Sequence, residues 1–196
     1  MIKINYYIED KNWLKYLQKT EITSFIKNIF NKTIDILNFG ILPKKTIEIS
    51  VTFTNDKNIQ KLNKQFRNID KSTNVLSFPL YEKEFFNIIK FEDYIVLGDI
   101  VLSFETIEKE ALEQNKIFRN HLIHLIIHSL LHLFGYDHIE EKDMEEMEGI
   151  EIEVLKKYEI IQNKRTMIDK SLFSGDIYNW LKSVKISCKK SSYSNY

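Results

Sequence analysis

Apolar positions recur in this chain at two different periods, and each change of period marks a new element. From Ile2 to Ile8 they alternate loosely, as in a strand. From Trp13 to Leu37 the interval lengthens. Phe25, Ile26, Ile29, Phe30, Ile34 and Leu37 fall at helical spacing, which predicts one or two helices closed by Gly40 and Pro43. Thr46 to Thr54 is β-branched and alternating, the clearest strand of the chain. Asn55 is placed to cap a short helix running to about Phe66, apolar at Ile59, Leu62 and Phe66. Asn68 to Asn74 is a polar loop. Val75 to Leu80 reads as a short strand, which Pro79 either ends or confines to a sheet edge. Tyr81 to Tyr94 is mixed and aromatic, a loop or hairpin arm, and Ile95 to Ser103 is a strand interrupted by Gly98-Asp99.

The remainder is helical. Glu105 to Phe134 predicts a long helix, or two pieces broken near Asn115 or Asn120. A further helix from about Asp143 to Tyr158 carries Met144, Met147, Ile150 and Leu155 on one face. Helices and strands mix without regular alternation and without internal repeats. The expected class is α+β: a small mixed sheet of about four strands packed with several α-helices.

Composition narrows the chemistry. A single cysteine, Cys188, excludes an internal disulfide and a cysteine-based zinc site, so any metal must rely on histidine and carboxylates. The N-terminus lacks a basic start followed by an apolar run, and no stretch approaches the roughly 18 apolar residues of a membrane span. A cytoplasmic protein with no membrane and no disulfide-linked partner is expected. Formal net charge is zero but unevenly spread: residues 161–196 hold seven Lys/Arg against Asp169 and Asp176, a balance of +5, leaving −5 for the rest. The chain therefore divides into a domain over 1–160 and a basic C-terminal extension over 161–196. Such an extension either contacts a phosphate backbone or is a solvated, partly disordered tail.

Four of the five histidines, 121, 124, 128 and 132, lie within one helical stretch, and at 100° per residue they span only about 80° of its circumference. His128 and His132 stand one turn apart on the same face. Gly135 can take a positive φ and stop the helix, letting the chain bring His138 back towards them. Three imidazoles with one open position form the ligand set of a catalytic zinc site, so His128, His132 and His138 are the candidate ligands of a single zinc ion at the end of a central helix. His121 and His124 read as supporting or packing residues. Asp99 and Asp137 are candidates for orienting a ligand's N–H.

The spacing also matches the ligand positions of the zinc-protease pattern H-E-x-x-H-x-x-G-x-x-H. That mechanism needs a Glu base where this chain has Ser129, whose hydroxyl does not titrate near neutral pH.

The run HSLLHLFGYDH resembles the signature of the YbeY family, bacterial endoribonucleases of ribosomal RNA maturation, H-G-x-L-H-L-x-G-Y-D-H. It departs only at Ser129, where the family has Gly. Two further segments agree. Leu62-Asn63-Lys64-Gln65-Phe66-Arg67, followed by Thr73 to Pro79, is similar to L-N-x-x-[YF]-R … T-[DN]-V-L-S-F-P. Leu97 to Ile100 resembles the family's G-D-I strand. The likeness runs from about residue 45 to 158. By itself Arg67 reads as a surface charge after a helix. The resemblance implies that it lies near the metal and serves RNA cleavage, where its guanidinium would stabilise charge on phosphoryl oxygens. It further implies a zinc-dependent, single-strand-specific endoribonuclease for the 3′ end of 16S ribosomal RNA and for ribosome quality control. Its implied partners are ribosomal RNA, the small ribosomal subunit and an assembly GTPase. Two rivals remain at this level: a metal-dependent hydrolase of another substrate class, such as a metzincin-like protease lacking its Glu base, and a non-catalytic, zinc-braced assembly factor.

Overall fold

The computed structural model describes residues 1–38, 45–81, 90–137 and 141–160. Gly40, Pro43, most of the stretch expected between Tyr81 and Tyr94, His138 and the basic extension 161–196 lie outside these. The described strands are β1 (Ile2–Ile8), β2 (Thr46–Thr54), β3 (Val75–Pro79) and β4 (Tyr94–Ser103). The described helices are α1 (Ile22–Leu37), α2 (Asp56–Arg67), α3 (Phe104–Glu113), α4 (Phe118–Leu133) and α5 (Glu141–Lys156), with a short 3-10 turn at Lys11–Lys15. This is the expected α+β class. One four-stranded sheet has the order β1-β2-β4-β3, with β1, β2 and β4 parallel and β3 antiparallel to β4.

Local chemistry accounts for most boundaries. The Asn55 side chain accepts the Asn58 amide at 3.0 Å and starts α2. Asn68 (φ 57°) and Asn115 (φ 51°) take left-handed conformations, the first ending α2 and the second separating α3 from α4. β3 is an edge strand, which is where Pro79 can be accommodated. The interruption expected at Gly98-Asp99 is instead a bulge within a continuous strand. The β2–β4 register slips between Glu48 and Ile49, and Gly98 adopts φ +136°.

The core lies mainly between the sheet and α1, α4 and α5. Trp13 is fully buried, donates its indole N–H to the Thr54 carbonyl at 2.8 Å, and meets Phe53, Phe104 and Phe118 edge-on. A smaller cluster on the other face joins Ile59 of α2 to Leu76 and Val101 of the sheet. Helix α4 is apolar around nearly its whole circumference because it is the central helix, packed on β3, β4, α1, α3 and α5. Among the described residues no helix is long and apolar enough to cross a membrane.

Candidate metal centre

The C-terminus of α4 is built by the glycine at position 135. With φ +86° at Gly135, its amide reaches the His132 carbonyl at 3.0 Å and the Tyr136 amide reaches the Leu131 carbonyl at 3.0 Å. This is a Schellman closure, and it turns the chain sharply back over the last turn of the helix. The Tyr136 carbonyl then lies 3.0 Å from His132 Nδ1. A carbonyl only accepts, so this nitrogen carries the hydrogen and donates it.

One turn earlier, His128 is buried and its Nδ1 lies 2.7 Å from Glu151 Oε1. A carboxylate likewise only accepts, so His128 donates from Nδ1. In the neutral rings both Nε2 atoms therefore present lone pairs, and they face each other across 3.1 Å. Two lone pairs at that distance repel unless a cation or a proton lies between them. Zinc–nitrogen bonds of about 2.0–2.1 Å at a tetrahedral angle would set two such nitrogens about 3.3 Å apart, so the donor pair fits the ion in distance and tautomer. Among the described residues no third His, Cys, Asp or Glu completes a cluster with them, and His138 lies outside those residues.

Glu151 of α5 clamps this arrangement. Its second oxygen, Oε2, takes the His124 Nε2 proton at 2.9 Å, so one buried carboxylate receives both imidazoles. Burial works to raise its pKa, but the imidazoles of His124 and His128 hydrogen-bonded to it outweigh that and hold it well below the usual carboxylate range. His121, further up the same helix face, belongs to a different group. Its Nε2 lies 2.8 Å from Glu110, which also accepts from the Asn74 amide, so it braces α3 and the start of β3. Burial pushes the His121 pKa down, leaving a neutral ring.

Ser129, at the position of a zinc protease's glutamate, is fully buried and its hydroxyl has no hydrogen-bond partner among the described residues. No carboxylate stands there to act as base. Arg67 is the last residue of α2 and is half-buried. The following Asn68 and Ile69 amides close the helix on Lys64 and Asn63. Asn63 also donates to the Lys71 carbonyl at 2.8 Å, tying down the loop that leads into β3. Helices α2 and α4 approach this edge strand from its two faces, since Leu76 packs with Ile59 while Val75 belongs to the main core.

A profile of the family described as "Endoribonuclease YbeY" matches residues 7–159. The chain belongs to the YbeY family. Curated relatives named "Endoribonuclease YbeY" include one from Agrobacterium fabrum, 40% identical over 151 residues, covering 76% of this chain and 86% of the relative. Another, from Sinorhizobium fredii, is 46% identical over 115 residues, covering 59% of this chain and 64% of the relative. The solution structure of TM1509 from Thermotoga maritima aligns over the full length of both chains with a TM-score of 0.50 at 23% identity, a likeness of fold alone.

Within this YbeY-family chain, sequence reasoning did not single out Glu151. A glutamate among many on an acidic helix carries no spacing relationship to a histidine on another helix. Asp99, considered for the orienting role, is exposed on β4, and the two ring N–H groups go to Glu151 and Tyr136. The Glu151→Gln variant tests the clamp. An amide offers one acceptor where the carboxylate offers two, so it turns its NH2 donors towards one imidazole N–H. Zinc affinity is expected to fall about 10- to 100-fold. Competition with a chromophoric chelator measures it, and unchanged affinity would show that Glu151 does not orient the site.

Proposed function

We propose that this chain is a zinc-dependent endoribonuclease cutting single-stranded regions of ribosomal RNA, in maturation of the 16S 3′ end and in ribosome quality control. The observation that carries the reading is the His128–His132 pair. Both rings donate from Nδ1 and turn their Nε2 lone pairs into one 3.1 Å gap, in a chain whose relatives are named endoribonucleases. His128 and His132, with His138 from the sequence, would hold the single ion. Zinc, when bound, supplies a Lewis acid for a phosphoryl or water oxygen.

The protein's own groups do the rest. Glu151 and the Tyr136 carbonyl fix ring tautomers and directions. The Schellman turn at Gly135 holds that carbonyl in place. Arg67 offers a planar, permanently charged fork for the phosphoryl oxygens. Ribosomal RNA, the small ribosomal subunit, an assembly GTPase and a cytoplasmic location belong to the same proposal. Cleavage of a single-stranded RNA by zinc-loaded protein, its loss on chelation and its return with zinc form the direct test, and a peptide panel should show no turnover. Arg67→Ala is expected to slow cleavage about 10²- to 10³-fold while zinc content stays at wild-type level. Full activity in that variant would remove Arg67 from the mechanism, and RNA left uncut by the zinc-loaded wild type would favour the assembly-factor reading.

A further inference from the structure

The nuclease reading asks two groups to act on one phosphate, yet they come from separate elements. The His128–His132 pair belongs to α4, whereas Arg67 ends α2. Helix α2 and the loop after it form one unit. Asn63 holds the Lys71 carbonyl at 2.8 Å, and Gln60 and Lys64 hold the Asp70 carboxylate at 3.0 and 2.6 Å. Both ends of that unit are fastened to α3. At its start the Asp56 carboxylate accepts the Ser103 and Thr106 hydroxyls, each at 2.6 Å. At its finish the Asn74 side-chain amide donates to the two Glu110 oxygens at 3.1 and 3.0 Å. Thr106 and Glu110 stand one turn apart on a single face of α3, so this helix brackets the segment that carries Arg67.

Glu110 carries the grip on to the metal helix. Its Oε2 also accepts the Nε2 hydrogen of His121 at 2.8 Å, about two turns before His128 on α4. Asn74 and His121 are only 2% and 5% exposed, so neither donor can turn to water instead. Drawing either element away would strand a buried donor, which makes the joint stiff. We propose that Glu110 is a positioning residue of the nuclease: through Asn74 and His121 it fixes the Arg67 segment against the zinc-binding helix. This rests on the nuclease reading above and adds what sets the spacing of its two halves. A misplacement of about 1 Å in such a pair can cost about 10²-fold in rate.

The test is steady-state cleavage of single-stranded RNA by zinc-loaded protein, with zinc content and circular dichroism on each preparation. In Glu110→Gln one carboxylate oxygen becomes an NH2 group that meets the donor of Asn74 or of His121. Its kcat is expected to fall about 10- to 100-fold, with KM and zinc content unchanged. In an Arg67→Ala background the same substitution should cost no more than about twofold, because the group that Glu110 positions is already gone. Combining Glu110→Gln with Asn74→Asp exchanges donor and acceptor in place. The new amide donates to the new carboxylate and still accepts from His121, so most of the rate should return. Asn74→Ala cuts the joint from the loop side, should show the same pattern as Glu110→Gln, and decides the matter where that variant does not fold. Wild-type kcat in the single variants, an equal loss in the Arg67→Ala background, or loss of zinc would overturn the joint and leave the nuclease reading intact. A zinc-loaded wild type that cuts no RNA would overturn both.

Discussion

The His132→Ala variant is expected to lose its zinc and to cleave single-stranded RNA at least about a thousandfold more slowly than wild type. His132 contributes one of the two lone pairs that face each other at 3.1 Å, and nothing else on the last turn of α4 replaces it. The fold should survive. The side chain is half-buried, and its loss removes one hydrogen bond to the Tyr136 carbonyl, worth about 1 kcal/mol. Metal analysis after gel filtration, RNA cleavage and circular dichroism on the same preparation separate the two consequences. His121→Ala is the control on the same helix face. It breaks the link to Glu110 and should lower stability, yet it should keep wild-type zinc content. Full zinc occupancy and full cleavage in His132→Ala would sink the metal site, and zinc loss in His121→Ala would show that the helix face acts as one unit.

That contrast also shows what the sequence could reveal. The pair at 128 and 132 was legible because a one-turn spacing is a local property of any helix, and Gly135 because a positive φ is a local property of glycine. The Asn55 cap and the break at Asn115 were legible for the same reason. The separation of roles among the histidines was not. His124 and His128 are joined through Glu151, and His121 is joined to Asn74 through Glu110. These partners sit on other elements, and only the packing of α4 against α3, α5 and β3 selects them. Phe66 continued the apolar face of α2 in the sequence, and only its exposure of 57% shows that this face outruns its cover.

Gly98 leaves no room for a single added methyl group, and Gly98→Ala is expected to cost on the order of 3–4 kcal/mol of stability. The sequence marked it only as an interruption of a strand. Two independent penalties coincide there. Its φ of +136° is open to glycine but not to an L side chain, and an added Cβ would lie 2.1 Å from the Phe78 carbonyl oxygen and 3.1 Å from the Leu80 amide nitrogen. Both contacts are backbone, so no side chain can rotate away. β3 would have to draw back from β4, where Pro79 pairs with Gly98 and the Leu80 amide bonds the Leu97 carbonyl at 2.9 Å. For a domain of this size the loss corresponds to a melting temperature lower by roughly 6–16 °C, which thermal denaturation would read directly. Gly149→Ala is the matched control: exposed in α5, with nothing within 4 Å of an added Cβ, it should raise stability by about 0.5–1 kcal/mol. A Gly98→Ala protein that melts with wild type would mean that the bulge does not constrain β3.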